Sequence, residues 1–200
     1  MRRILAFERV TPEGYFAAAD GDEQRLFVLD PDLDRDVMRG PGTVDTFLWG
    51  RKTFEHMAAY WPGALDDPNL SEAVRKMAVQ LNEQTKIVFS RTVKSAEWKN
   101  TRFLSKFDPE EIASMKEQSG GDMMVLGSGS IVSQLTEHGL MDEYLLVVSP
   151  MLLGRGSSLF SNVSGPTSLK LTSAKGYKSG NVLLRYTTVR DPQRSKPRAQ

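Results

Sequence analysis

Three short segments of this chain carry residue types and spacings suited to holding phosphate. In Thr46-Phe-Leu-Trp-Gly-Arg-Lys-Thr-Phe-Glu55 an apolar run ends at Gly50 and a helix-forming run follows. The free N–H groups of a first helical turn, with the helix dipole behind them, attract anions. Gly50 lets backbone approach a ligand closely, Arg51 and Lys52 add positive charge, and Thr53 offers either a helix cap or a hydroxyl. In Met123-Met-Val-Leu-Gly-Ser-Gly-Ser-Ile131 an apolar run again enters a small-residue turn. Gly127 and Gly129 permit positive φ, and Ser128 and Ser130 offer hydroxyls. Val132 stands where a full glycine fingerprint has its third glycine, and the P-loop lysine is missing, so neither standard nucleotide motif applies. In Lys86-Ile-Val-Phe-Ser-Arg-Thr92 an apolar run ends in Ser90-Arg91, and arginine clamps phosphate with paired hydrogen bonds.

Taken singly, each segment also reads as something plainer. The first is an ordinary strand–helix turn with solvated basic residues, the second a tight turn closed by a serine N-cap, and the third a strand followed by an exposed arginine. Taken together they say more. If the runs are parallel strands, their carboxyl ends share one edge of a sheet, where ligands of open α/β sheets bind. Three such turns can then converge on one polyphosphate, and Ser90 with Arg91 would suit a 2′-phosphate, favouring NADP over NAD.

The remaining pattern supplies the elements to position these turns. Short apolar runs at 4–7, 46–49, 86–89, 123–126 and 144–148 alternate with helical segments, which predicts a largely parallel sheet. The expected helices cover about 31–39, begun by Asp30-Pro31 and stopped at Gly40-Pro41-Gly42, and then 53–60, 70–82, 110–118 and 130–137. A further short extended piece is expected at 15–18. After Pro150 the texture changes, and strands at 157–160, 169–172 and 182–189 are expected as antiparallel additions at one edge. No repeat or linker divides the chain, so a single domain over residues 1–190 is expected, with a disordered tail over 191–200.

Composition removes several chemistries. The 200 residues include no cysteine and two histidines, His56 and His138. Disulfides, zinc–thiolate sites, a cysteine nucleophile and a histidine-rich metal site are therefore excluded. The absence of cysteine fits a reducing cytoplasm. A net charge of +1 gives no whole-chain attraction to nucleic acid or anionic membrane. The apolar run at 4–7 ends at Glu8-Arg9, too early for a signal peptide, and no stretch reaches the ~20 apolar residues of a membrane helix.

Residues 48–55, Leu-Trp-Gly-Arg-Lys-Thr-Phe-Glu, resemble the Gly-Arg-x-Thr segment of dihydrofolate reductases. They are more similar still to the matching segment in the reductase domain of bifunctional riboflavin-biosynthesis deaminase-reductases. Val88-Phe-Ser-Arg91 resembles the next nucleotide-binding strand end, and Leu126-Gly-Ser-Gly-Ser130 sits where the family has its glycine-rich pyrophosphate turn. The stretch 142–160, with its Pro-Met-Leu-Leu-Gly-Arg-Gly core, resembles the riboflavin-type branch. Thr11-Pro-Glu-Gly-Tyr-Phe-Ala17 is similar to the family's Ser-Leu-Asp-Gly opening, with Glu13 in place of aspartate. The resemblance runs in consistent order from about residue 3 to 189. It implies a dihydrofolate reductase-like three-layer α/β/α fold, NADPH as hydride donor to a pterin-like or ribosylaminopyrimidine-like substrate, and a homodimer. By the same resemblance Gly50, Arg51, Lys52 and Thr53 hold the adenosine-side phosphates. Ser90 and Arg91 face the 2′-phosphate, Gly127 to Ser130 wrap the pyrophosphate, and Gly14-Tyr15 lies near the nicotinamide.

Reduction of a C=N bond gains from a proton source. In dihydrofolate reductases an acid sits on the helix before the Gly-Arg-x-Thr strand, and Asp34 best matches that distance ahead of Gly50; the aspartates there equally read as helix-start residues facing water. Glu8 is a second carboxylate able to face a pocket, Tyr15 is expected near the substrate, and Trp61 either stacks on a flat heterocycle or packs in the core. An alternative to catalysis stays open at this point, a nucleotide-binding or interaction protein on the same fold.

Overall fold

In the computed structural model, residues 1–39 and 43–189 are described. The expected helix stop at 40–42 and the expected tail over 191–200 lie outside them. Strands β1 (Ile4–Val10), β3 (Val44–Gly50), β4 (Thr85–Phe89), β5 (Thr101–Leu104), β6 (Asp122–Leu126) and β7 (Glu143–Val148) are mutually parallel. Two more strands, β9 (Leu169–Gly176) and β10 (Val182–Thr188), extend the same sheet antiparallel beside β7. The sheet order is β5-β4-β3-β6-β1-β7-β10-β9. The expected edge of antiparallel strands is therefore present, with one correction. The piece near 157–160, β8 (Gly156–Ser158), does not join that edge; it pairs antiparallel with β2 (Tyr15–Ala18) in a separate two-stranded sheet.

Helices cover both faces of the sheet, giving three layers. On one face α1 (Pro31–Arg39), α2 (Arg51–Ala58) and α3 (Glu72–Glu83) contribute Leu33, Phe54 and Leu81 to clusters with Trp49, Val88, Leu5 and Val147. On the other, α4 (Pro109–Glu117) and α5 (Gly129–Glu137) bury Ile112, Met115, Ile131, Val132 and Leu135 against Ile4, Ala6, Leu48 and Val125. Phe47 and Trp49 point to the first face and Leu48 to the second, as strand alternation requires. Because both faces are covered, the parallel strands read as continuous apolar runs.

Local chemistry explains the helix ends. The Asp30 carboxylate accepts from the N–H groups of Asp32 (3.0 Å) and Leu33 (3.1 Å), capping α1 as expected. Asp108 does the same for α4, with Pro109 at the first helical position. Lys86 of β4 is fully buried; its ammonium donates to the carbonyls of Leu81 and Gln84 (2.8 Å each) and Asn82 (3.4 Å), closing the end of α3. No helix among the described residues is long and apolar enough to cross a membrane.

Candidate functional site

The strand order decides whether the three turns meet. β4, β3 and β6 are neighbours in the sheet and run parallel, so the turns after Phe89, Gly50 and Leu126 lie side by side on one rim. Two of them are directly joined. The Gly50 N–H donates to the Ser128 hydroxyl oxygen (2.9 Å), and the Ser128 hydroxyl donates to Thr53 Oγ1 (2.6 Å). The Ser128 hydroxyl and the Gly50 amide are thus engaged inside the protein. The proton of the Thr53 hydroxyl remains available to a ligand, since Thr53 acts as acceptor in this bond.

Sequence reasoning expected the helix after Gly50 to begin at Thr53. It begins two residues earlier, because Gly50 is extended (φ −78°, ψ 164°) and serves as the N-cap of α2 without any side-chain cap bond. The first-turn amides of α2 therefore face the rim. At the neighbouring turn Gly127 and Ser128 are both left-handed (φ 68° and 73°) before α5 begins at Gly129. A left-handed residue followed by a helical one turns successive N–H groups toward a common point, an anion-binding concavity. Ser128 is the N-cap of α5 by position, yet its hydroxyl makes no cap bond and crosses to Gly50 and Thr53 instead. Gly129 has a different reason to be glycine. A Cβ there would lie 2.6–2.8 Å from the ring of Phe16, which β2 lays across the turn.

Charged residues on the rim divide into engaged and open. Arg51 turns along its helix and bonds Glu55 through Nη1 (2.7 and 2.9 Å). Lys52 is exposed. Ser90 is buried and accepts from the N–H groups of Val93 (2.9 Å) and Thr92 (3.3 Å), so its hydroxyl oxygen shapes the turn. Arg91 is exposed and makes no ion pair among the described residues.

The carboxyl end of β1 holds polar atoms that sequence reasoning only partly anticipated. Glu8 is 4% exposed, and its Oε1 is buried with no hydrogen-bond partner. Burial pushes its carboxyl well above the usual range, with repulsion from Glu23 adding to the effect. Glu23, in the segment leading to α1, is itself raised by burial and partly offset by His56 on α2. Arg9, on the opposite face of β1, has buried Nε and Nη1 without hydrogen-bond partners. Its guanidinium lies 4.7 Å from the centre of the Phe27 ring and 3.6 Å from Asp34. Asp34 is thus an ion-pair partner whose side chain is 58% exposed. Desolvation raises its carboxyl, against the pull of Arg9.

One other candidate falls away from the three turns. Trp61 follows α2 at the end remote from Gly50, about 12 Å along the axis for eight helical residues. It packs on the cluster of Phe54, Leu81 and Trp98, and its carbonyl accepts from Asn82 (3.0 Å). Tyr15 lies on β2 opposite Ser158. Glu13, in the opening motif, accepts from the N–H groups of Leu153 (2.8 Å) and Gly154 (3.0 Å), fastening that motif to the Pro150–Gly156 stretch. The sequence signal for this contact was the acid beside Gly14. A cavity of about 250 Å³ walled by Thr136, Tyr144 and Phe160 lies away from the rim.

A family model described as the RibD C-terminal domain matches residues 3–183. The uncharacterized Bacillus subtilis protein YyaP is 30% identical over 186 residues, covering 92% of this chain and 94% of the relative. Among solved structures, a riboflavin-biosynthesis-type protein from Shewanella sp. PV-4 superposes with a TM-score of 0.70 at 18% identity, covering 94% of this chain and 99% of that one. A Thermotoga maritima diaminohydroxyphosphoribosylaminopyrimidine deaminase/5-amino-6-(5-phosphoribosylamino)uracil reductase gives 0.64 at 17% identity, with 94% of this chain matched to 57% of that one. At such identities these structures establish a common fold.

Proposed function

The chain belongs to the RibD C-terminal domain family, and from that premise we propose that it is an NADPH-dependent reductase of a pterin-like or ribosylaminopyrimidine-like small molecule. One observation carries the reading most of the way: the turns after β3 and β6 are fastened together through Gly50, Ser128 and Thr53, beside the turn after β4. The residues present fit the cofactor. In this reading the amides of Ser128 to Ser130 receive the pyrophosphate, while Gly127, whose N–H is held by the Phe7 carbonyl, acts by shaping the turn, and the α2 amides with Lys52 and the Thr53 hydroxyl receive the adenosine-side phosphate. Arg91 faces the 2′-phosphate, while Ser90 acts by shaping its turn. Gly50 and Ser128 act by holding the two turns at a fixed spacing. Arg51 joins them if it leaves Glu55. Glu8 and Tyr15 face the nicotinamide and substrate end. Bound NADPH supplies a hydride to an electrophilic carbon; the protein's part is orientation, exclusion of water and a place for the proton. The reading includes one reductase domain over residues 1–190, a cytoplasmic setting and a homodimer.

Fluorescence titration tests it. NADPH is expected to bind at micromolar concentration and NADH clearly more weakly, and Arg91→Ala is expected to erase the difference. Equal binding of both cofactors by the unmodified protein, or binding of neither, overturns it. A second reading, nucleotide binding without catalysis, draws on one observation: Asp34, where the dihydrofolate reductase-type acid is expected, is mostly exposed and paired with Arg9. If NADPH binds and no flavin precursor, dihydropterin or simple carbonyl is reduced, that reading prevails.

A further inference from the structure

Within the reductase reading, and resting on it, one buried group has no structural task. Glu8 accepts no hydrogen bond and pairs with no cation among the described residues, although 96% of its surface is covered and Oε1 is wholly enclosed. Burying an ionised carboxylate without a partner is so costly that the group takes a proton instead. Its surroundings offer no relief. Ile4, Ala6 and Val10 share its face of β1. Leu146 lies opposite on β7, and β2 contributes no charge. The one charged side chain of α5, Glu137, is at the far end of that helix. Glu23 repels it, His56 acts on Glu23, and Arg9 and Asp34 project to the other face.

Position gives the carboxyl a use. Phe7 is paired with Leu126, and the Gly127 N–H donates to the Phe7 carbonyl (3.2 Å). Glu8 is therefore the first β1 residue beyond the last rung with β6, next to the left-handed pair Gly127–Ser128. An acid at that point adjoins the end of the cradle from which a bound dinucleotide would meet its substrate.

We propose that Glu8 is the proton-donating acid of this site, a neutral carboxyl that hydrogen-bonds to, and then protonates, the nitrogen of a C=N bond in the substrate. The electron count closes. A reduced nicotinamide delivers hydride, with its two electrons, to the carbon, and the π pair moves to nitrogen. Nitrogen takes the Glu8 proton, and the carboxylate left behind is reprotonated from solvent past Glu23. The inference narrows the substrate class to flat heterocycles or imines whose nitrogen gains a proton as the adjacent carbon is reduced.

Two readouts test it. The first needs no cofactor: melting temperature from pH 5 to 9 for wild type, Glu8→Gln and Glu8→Asp. A carboxyl raised in the folded state binds more protons there than in the unfolded chain. Wild-type stability must therefore fall as pH rises above the ordinary carboxyl range toward the raised value. Glu8→Gln should lack that fall and Glu8→Asp should retain it. The second readout is NADPH oxidation with 7,8-dihydropterin as the C=N probe. Glu8→Gln should be slower by about 10²–10⁴-fold, the usual worth of a positioned acid, with Glu8→Asp recovering part of the rate and NADPH affinity within twofold of wild type in both. A Glu8→Gln melting profile parallel to wild type, or a Glu8→Gln rate equal to wild type, overturns the assignment. Failure of the wild type to bind NADPH overturns the reductase reading instead.

Discussion

Ser128 combines two opposing contributions, and two substitutions separate them. Its hydroxyl bridges the Gly50 amide and Thr53 across adjacent strand ends, and the residue is 6% exposed. Its backbone is left-handed (φ 73°, ψ 57°), which costs a non-glycine residue roughly 1–2 kcal/mol. Ser128→Ala removes the hydroxyl and keeps the backbone cost. The Gly50 N–H then loses its acceptor in a largely enclosed turn, a penalty of about 1–3 kcal/mol. In a chain of this size each kcal/mol lowers the melting temperature by roughly 2–4 °C, so a fall of about 2–12 °C is expected. Ser128→Gly loses the same bonds but relieves the left-handed backbone. Part of that relief is offset because glycine gives the unfolded chain more freedom, worth about 0.4–1 kcal/mol.

The net expectation is that Ser128→Gly is about 1 kcal/mol more stable than Ser128→Ala and less stable than wild type. Thermal and urea denaturation measure the order directly. If Ser128→Ala melts with wild type, the bridge contributes nothing. If Ser128→Gly is no better than Ser128→Ala, the left-handed backbone is not the cost assigned to it. NADPH affinity should fall in both variants, since every 1.4 kcal/mol lost in holding the turns is tenfold in Kd.

Gly129→Ala would place a methyl 2.6–2.8 Å from the Phe16 ring, so a loss of about 1–3 kcal/mol is expected, and Phe16→Leu in the same chain should restore part of it; equal melting of Gly129→Ala and wild type would refute the packing role. Lys86→Met leaves the Leu81 and Gln84 carbonyls at the end of α3 without their donor and should destabilise by about 1–3 kcal/mol. Burial lowers the Lys86 ammonium to about 8, so between about pH 8 and its ordinary 10.5 the unfolded chain binds more protons and wild-type stability should gain with pH; in denaturant titrations across that range the methionine variant should show no such gain.

Much of the fold could be read because its elements announce themselves locally. Asp30-Pro31 caps the helix it was expected to start, and Asp108-Pro109 opens the helix expected over 110–118. The alternation of apolar runs with helical segments gave the parallel sheet, since strands covered on both faces need no period of two. What was missed lacks that signal. β5 is a four-residue edge strand, Thr101-Arg-Phe-Leu104, with one side chain pointing into solvent and three half-buried; no pattern over so short a span separates it from loop. β8 was assigned to the wrong sheet because Gly156-Ser-Ser158 pairs with β2, more than 130 residues earlier, and register across such a gap is not written in either segment. At the site, residue types were legible and their engagements were not. Nothing in Arg51-Lys-Thr-Phe-Glu55 tells whether Arg51 reaches outward or back to Glu55. Nothing in Gly-Ser-Gly-Ser separates a serine that caps its own helix from one that bonds across to the next strand. Glu8 could be named as a pocket carboxylate and Arg9 read only as the end of an apolar run; that both carry buried polar atoms without partners is revealed by burial alone.

The placement of the bridge follows from connectivity. After β3 the chain leaves through α2 and α3 on one face and returns as β4, toward the β5 edge. After β6 it leaves through α5 on the opposite face and returns as β7, toward the β9 edge. β3 and β6 are adjacent, and they send their helices to opposite faces and in opposite directions along the sheet. Chains that part in this way leave a crevice beyond the strand ends that no loop crosses. The amino ends of α2 and α5 both open on it, and their dipoles point the same way, toward any negative charge placed there. Two positive helix ends held side by side repel each other when the crevice is empty. The Ser128 hydroxyl, joined to the Gly50 amide on one side and Thr53 on the other, holds them at a fixed spacing against that repulsion. An anionic ligand relieves the repulsion, so the bridge and the ligand stabilise the same arrangement. That coupling is why the Ser128 variants should lose cofactor affinity and thermal stability together.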